Sequence, residues 1–294
     1  MMLERRERRG LALMLLPYLL GITILIAGPA LITFALSVYK YDLLRPAEFI
    51  GLDNFRELAG DNIFLTSVRN SLLYIAFAVP LRLVGAVCLA LLLHKRFRGV
   101  SAYRTSAYLP TVVPDVAYAL LWLWIFNPLF GPMNLFLEAV GIGGPAWLTS
   151  PTAARSAIVI MGLFTIGEGF IVAMATRQDI PGELYELAEI EGTGPLAAFR
   201  RITLPIMAPT LLLLLFRDTV FSFQANFVPA LLVTGGGPPP YATTYLPLFI
   251  YRQGFEYLRY GYAAAATLAM FLITAVIVYV QYRIVKRWRH AFVV

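Results

Sequence analysis

The stretch SLLYIAFAVPLRLVGAVCLALLL, residues 71–93, decides the fold. Across it stands one charge, Arg82, and apolar residues occupy every face that a helix would present. A helix rises about 1.5 Å per residue, so about 20 apolar residues cross a hydrocarbon core of roughly 30 Å. A helix in a soluble fold keeps a polar face toward water, and this one has none. Five more segments pass the same test: Leu11–Val38, Thr105–Phe126, Ala157–Thr176, Leu204–Leu232 and Tyr262–Tyr282. The expectation is an all-α, polytopic membrane chain with six transmembrane helices. Residues 1–10 form an N-terminal segment, 11–287 the transmembrane domain, and 288–294 a C-terminal tail.

Composition agrees. Of 294 residues, 59% are hydrophobic and 14% charged, whereas soluble proteins average roughly 45–50% and about 25%. Arg5, Arg6, Arg8 and Arg9 precede the first apolar segment in the manner of a signal peptide. That segment is too long for a signal core and no small-residue cleavage site follows, so it reads as a retained, tilted helix.

The net charge of +7 would suit nucleic acid, an acidic partner or a topology signal. Position decides. Fifteen of the 24 basic residues fall on one side of the spans: the four N-terminal arginines, Lys95, Arg96, Arg98, Arg104, Arg177, Arg200, Arg201, Arg283, Lys286, Arg287 and Arg289. Seven fall on the other: Lys40, Arg45, Arg56, Arg69, Arg155, Arg252 and Arg259. The positive-inside rule then places both termini in the cytoplasm. No basic cluster with interleaved aromatics points to nucleic acid.

Catalytic chemistry has little to stand on. Cys88 is the single cysteine, which excludes a disulfide framework and a cysteine metal cluster. The histidines, His94 and His290, belong to no His-Glu-x-x-His or paired-acid motif, so no catalytic and no metal-binding residue is assigned. The outer loops carry turn formers, including Gly141–Pro145 and Gly235–Pro240, and short amphipathic helices along the membrane surface are expected there.

The cytoplasmic loop 177–203 is the most patterned part of the chain. It leads into span five as IPGELYELAEIEGTGPLAAFRRITLPIMAP, residues 180–209. Pro181 suits a first helical turn, and Glu183, Glu186 and Glu189 place negative charge near the positive end of that helix. Leu184, Leu187 and Ala188 form an apolar face; Gly192, Gly194 and Pro195 stop the helix. A second short helix carries Leu196, Phe199 and Ile202, after which Thr203-Leu204-Pro205 turns the chain into span five. On physics alone, this elbow is either an interfacial cover for the helix ends or a docking element.

The spacing resembles the EAA loop of binding-protein-dependent ABC importer permeases: Glu-Ala-Ala, three residues, Gly, nine residues, then Ile-x-Leu-Pro. Here Glu186, Leu187 and Ala188 precede Gly192, Ile202 and Leu204-Pro205 at those distances, with Leu187 for the first alanine and Glu191 where Asp is usual. Thr234–Pro238, Thr243, Thr244, Tyr251, Phe255 and Gly261–Ala265 resemble the region after span five in carbohydrate-type permeases. Leu16-Pro17-Tyr18 and Phe49–Phe55 resemble the same subfamily's beginning. The likeness, to the maltose and glycerol-phosphate permeases, covers about Leu11 to Lys286.

It implies a MetI-like fold in a bacterial or archaeal cell membrane, pairing with a second homologous permease subunit, two ATPase subunits and an extracytoplasmic solute-binding protein. The chain would be a transporter subunit and not an enzyme, importing a sugar or related polyol. No Gly-x-x-x-x-Gly-Lys-Ser/Thr loop occurs, so no cofactor is expected on this chain, and ATP and Mg would belong to the partner ATPase. The resemblance implies ATPase coupling through Glu183, Glu186, Ala188, Gly192, Leu204 and Pro205.

Arg82, Asp115, Glu168, Arg217 and Asp218 lie inside spans. Each costs roughly 2.5–3.5 kcal/mol at the centre of a span, so they are expected to face protein or water. Depth pairs Arg82 with Asp115 and Arg217 with Glu168, either to hold helices together or to line a path. The resemblance places Thr165 and Glu168 at sugar-contacting positions. On span five, Thr219, Ser222, Phe223 and Asn226 share one helix face and mix hydroxyl, amide and aromatic groups, which suits sugars and equally suits interhelical contact. Pro80, Pro110 and Pro114 read as hinges or as static kinks. A membrane enzyme lacks a motif for its catalytic groups. A secondary carrier or channel would use the buried charges but leaves the elbow without a reason, and an importer of a non-carbohydrate solute stays open.

Overall fold

The computed structural model describes residues 2–95, 97–237 and 241–292. Arg96, Pro238–Pro240 and residues 293–294 lie outside the described residues, as do the side chains of Arg5, Arg6, Arg8, Arg9, Arg287, Arg289 and His290.

The chain opens with α1 (Met2–Ile22), which passes through a π-helical turn into α2 (Gly28–Leu36). A two-residue antiparallel ribbon, β1 (Tyr39–Lys40) with β2 (Glu48–Phe49), leads to α3 (Asp53–Gly60) and the long α4 (Asn62–Leu93). Then come α5 (Val100–Tyr108), α6 (Asp115–Ile125), α7 (Pro132–Ala139), α8 (Pro151–Phe164) and α9 (Gly167–Gln178). The loop between spans four and five forms α10 (Glu183–Ile190) and α11 (Pro195–Ala198). A π-helical turn, Phe199–Thr203, joins α11 to α12 (Leu204–Ala225), and α13 (Phe227–Leu232) follows. The chain ends with α14 (Leu246–Tyr251) and α15 (Tyr260–Phe292).

The fold is all-helical apart from that ribbon, and four helical runs are long and apolar enough to cross a membrane: Leu13–Leu36, Asn62–Leu93, Pro195–Leu232 and Tyr260–Lys286. The other two expected spans are broken. The third is Val100–Thr111 followed by Asp115–Ile125, bent by 100°. Pro110 and Pro114 favour the break, because each lacks an N–H to donate, and Pro114 itself is extended (ψ 137°) just ahead of α6. The fourth is Pro151–Phe164 followed by Gly167–Gln178, bent by 44° at Thr165-Ile166. Two further expectations change. α4 runs through Pro80 without interruption, and Thr203-Leu204-Pro205 makes no turn. The second limb of the elbow is instead continuous with span five, since Pro205 falls in the first turn of α12, where its missing N–H is tolerated.

The helices group into two compact units. The first comprises residues 2–61 and 250–271. Here the Asn54 amide donates to the carbonyls of Ser37 and Tyr39 at 2.8 and 3.0 Å, and Arg259 grips the Glu57 carboxylate at 2.6 Å. Gly261 is required by space: a Cβ there would fall 1.9 Å from the Tyr39 carbonyl oxygen.

The second unit comprises residues 62–249 and 272–292. α4 is its axis, packed against α8, α9 and α12. Ala86 and Ala90 on α4 meet Phe170 and Ala173 on α9 and Met207, Leu211 and Leu214 on α12. Small residues let helix backbones approach where lipid supplies no hydrophobic drive between them. Toward the N-terminal end of α4, Asn70 donates to the carbonyls of Tyr241 and Thr244, the amide of Leu246 donates to Ser71, and Arg155 reaches the Ala242 carbonyl. These bonds fix the glycine-rich loop and bury Tyr245, whose phenol burial pushes well above its ordinary pKa.

Candidate functional site

A cavity of about 130 Å³ opens within the second unit, between α4, the two breaks and α12. Each break supplies a wall. The bend in span three sets Asp115 at the first turn of α6, and the bend in span four sets Thr165 at the junction and Glu168 in the first turn of α9. Arg82 comes from α4; Arg217, Asp218, Phe221 and Ala225 come from α12.

The charges form a ladder across three helices. Glu168 pairs with Arg217, whose other nitrogen lies 3.6 Å from Asp218. Asp218 lies 3.8 Å from Arg82, and Arg82 also donates to the Asp218 carbonyl at 3.3 Å and to the Ser222 hydroxyl. Exposure falls along the ladder, from 53% for the Glu168 side chain to 4% for Arg82. Desolvating a charge this far is tolerated because each guanidinium faces a carboxylate.

The Arg217–Glu168 pair forms as depth suggests. The expected Arg82–Asp115 pair does not. Asp115 belongs to a separate helix beyond the 100° bend, while Asp218 and Ser222, one turn apart on α12, stand opposite Arg82.

The stripe on span five also moves. Thr219, Ser222, Phe223 and Asn226 are 0–2% exposed and do not line the cavity. Thr219 donates to the Leu215 carbonyl and accepts from Gln281 on α15, and Ser222 holds Arg82. Asn226 caps α12, its amide buried without a hydrogen-bond partner among the described residues. Their shared face is directed at neighbouring helices, and the adjoining face of the same helix, through Leu214, Arg217, Asp218, Phe221 and Ala225, meets the cavity. Sequence reasoning missed the aromatic part of the lining, Tyr74, Tyr118 and Phe221. Phe221 was legible as the residue one turn beyond Arg217 and Asp218. Tyr118 carried no signal; its hydroxyl donates to the Met161 carbonyl at 2.7 Å.

The second candidate site is the elbow. Gly192 sits at φ +71° and ends α10 in a Schellman arrangement: its N–H donates to the Glu189 carbonyl and that of Thr193 to Ala188, at 3.0 and 2.8 Å. Nothing crowds a Cβ at Gly192, so conformation alone demands the glycine. Glu183 and Glu186 are exposed, Ala188 is buried, Leu204 is exposed and Pro205 half-buried. The expected apolar face divides: Ala188 turns inward, whereas Leu184 and Leu187 turn outward beside the glutamates. Nearby, Arg104 caps the end of α4 through the Leu93 carbonyl, at 3.0 and 2.6 Å. Partial burial, then Arg177, Lys95 and Arg104, hold His94 below its ordinary pKa against the opposing bond to the Leu91 carbonyl.

Residues 83–290 match the family described as binding-protein-dependent transport system inner membrane component. The chain is similar to the probable ABC transporter permease protein YesP of Bacillus subtilis, 31% identical over 93% of this chain and 89% of the relative. It is also similar to the sulfoquinovosyl glycerol transport system permease protein SmoG of Agrobacterium fabrum, 30% identical over 97% of this chain and 92% of that protein. Among solved structures, a chain of a bacterial ABC transporter involved in the import of the acidic polysaccharide alginate superposes with a TM-score of 0.82, at 26% identity over 98% of this chain and 99% of that one.

Proposed function

The chain belongs to the family of binding-protein-dependent transport system inner membrane components, and on that premise we propose that it forms half of the import pathway for a sugar or related polyol. It is an ABC transporter permease, a membrane subunit whose chemistry is movement of a solute. In the proposed assembly, a second permease completes the pathway, two ATPase subunits supply ATP and Mg, and an extracytoplasmic binding protein delivers the solute. Both termini lie in the cytoplasm, as the distribution of basic residues favours.

The observation that carries the reading is the continuity of elbow and cavity. The helix that leaves the elbow at Pro195 is the one that presents Arg217 and Asp218 to the cavity. ATPase movement on the outward face of α10, through Glu183 and Glu186, would cross the single bend at Gly192 and then reach the solute path along one unbroken helical run. Ala188 and Gly192 set the angle of that limb, and Leu204-Pro205 start the helix that carries the motion. Thr165, Glu168 and the rest of the ladder line the path; Thr219, Ser222, Phe223 and Asn226 support it from behind.

The lining favours hydroxyl-rich cargo. Alternating donors and acceptors from Arg82, Arg217, Asp115, Glu168 and Asp218, beside the rings of Tyr74, Tyr118 and Phe221, match sugar hydroxyls and a sugar C–H face. Both guanidiniums are already engaged by carboxylates, which disfavours an anionic group at this place.

Co-purification followed by reconstitution tests the proposal. An ATPase and a second permease should accompany the chain from its host membrane, and vesicles holding all three should concentrate solute with ATP and binding protein. Uptake that needs neither would point to a secondary carrier or channel. A binding protein that retains only non-carbohydrate solutes would overturn the cargo class.

A further inference from the structure

The inward face of α10 is two residues wide. Tyr185 and Ala188 turn toward the bundle, and every other side chain of the helix is exposed. Ala188 offers one methyl group, so direction and firmness of attachment fall to Tyr185. Its hydroxyl lies 2.7 Å from the Thr203 hydroxyl, and its ring lies beneath the Arg177 guanidinium, 4.3 Å from ring centre to the guanidinium carbon. With Phe199 and Ile202 it also packs against the core of the second unit.

These two partners belong to different helices. Arg177 is in the last turn of α9, and Thr203, 2% exposed, closes the π-helical turn that feeds α12. The same two helices meet again deeper in the bundle, where Glu168 of α9 pairs with Arg217 of α12. One tyrosine therefore ties together the near ends of the helices whose far parts form the ion pair in the cavity. The π turn gives this tie a compliant seat, because an extra residue in a helical turn weakens the regular ladder and such turns gather at functional positions.

We propose that Tyr185 is the positioning residue through which movement of the elbow is delivered to α9 and α12 together, and so to the Glu168–Arg217 pair. A push on the outward face of α10 acts on both helices at once because the hydroxyl bond and the ring stacking belong to one rigid side chain. Loss of the hydroxyl frees α12 from α10 while Arg177 stays stacked, so the two helices no longer move in register. This inference rests on the reading of the chain as an ATP-driven permease.

The test uses the whole transporter in lipid vesicles and needs no knowledge of the cargo. Cys88→Ser removes the native thiol, and Thr165→Cys places a reporter on the cavity wall. The rate at which a membrane-impermeant methanethiosulfonate modifies the reporter is compared with and without the ATP analogue AMP-PNP and magnesium. Tyr185→Phe and Thr203→Val each remove one end of a single hydrogen bond. Each should shrink the nucleotide-dependent rate change on the order of threefold to tenfold, the usual worth of one such bond. The double variant should do no worse than either single, since both break the same contact. ATPase should co-purify in the original ratio, which separates positioning from mere attachment.

Single variants that keep the full nucleotide response overturn the inference, as does a double variant whose loss is the product of the two. Loss explained wholly by ATPase dissociation also overturns it. A parent transporter whose reporter ignores the nucleotide overturns the functional reading, and this inference with it.

Discussion

The cavity and the elbow, joined by one helical run, treat charge in opposite ways. In the cavity, Arg82, Asp218, Arg217 and Glu168 are matched within the chain, rung by rung. On α10, Glu183, Glu186 and Glu189 stand exposed. Desolvation explains the difference. At membrane depth an unmatched charge costs several kcal/mol, roughly the whole stability margin of some folds, so the partner must be internal. Outside the spans water supports the charge at little cost, and it stays available to another chain.

That contrast breaks most easily at Arg82. Arg82→Met leaves Asp218 to Arg217 alone and removes the donor to Ser222, and should destabilise the protein by about 1–3 kcal/mol, seen as a lower melting temperature and poor recovery from the membrane. Pairing it with Asp218→Leu should restore most of the loss. A single variant as stable as the parent would show that the ladder is not needed for folding.

Gly192→Pro should leave the fold standing and abolish ATP-driven uptake, by tenfold or more, since proline can neither adopt φ +71° nor donate to the Glu189 carbonyl. Gly192→Ala meets no neighbour and should cost only about 1–2 kcal/mol of local strain, with weaker but measurable uptake. Equal uptake by both variants would detach the elbow from transport.

Thr219→Val sharpens the contrast within α12. It removes the acceptor for Gln281 and should cost about 1 kcal/mol in denaturant or thermal unfolding. No change in stability would reopen the place of this residue behind the cavity.

The smallest effect concerns pH. His94 is held below its ordinary pKa, so the folded state binds fewer protons than the unfolded one. Its contribution is intact above the ordinary value of 6.5 and declines as pH falls through it toward the folded value. A slight fall in melting temperature across that window, absent in His94→Gln, would confirm the sign.

Much of this was legible in sequence, for stated reasons. Apolar blocks revealed the spans because the bilayer imposes length. The elbow was legible because Glu186, Gly192 and Leu204-Pro205 keep the spacing of the EAA loop they resemble; the residues by themselves left open whether it covers helix ends or docks. The Arg217–Glu168 pair agrees with depth because the break before Glu168 bends its span by only 44°, so that counted rise still approximates height. Arg82 resisted the same count because its supposed partner Asp115 lies beyond a bend, where rise no longer measures height.

The α12 stripe failed for another reason. Residues 217, 218 and 221 and residues 219, 222 and 226 occupy neighbouring faces, both polar, and the sequence of one helix does not say which neighbour each face meets. Tyr185 escaped notice as an ordinary aromatic among glutamates. Its i, i+3 relation to Ala188 was the available signal.

The bend in span three has a consequence for water. Breaking a helix at residues 112–114 leaves carbonyls behind it and N–H groups ahead of it without helical partners, beside the cavity. Hydrocarbon cannot satisfy them, so these groups call for polar partners on the cavity side of the bend. On the proposed reading, a solute entering the cavity would exchange water for protein, hydroxyl by hydroxyl, with little net gain. Weak holding of this kind suits a passage, where a tight site would keep what it is meant to release.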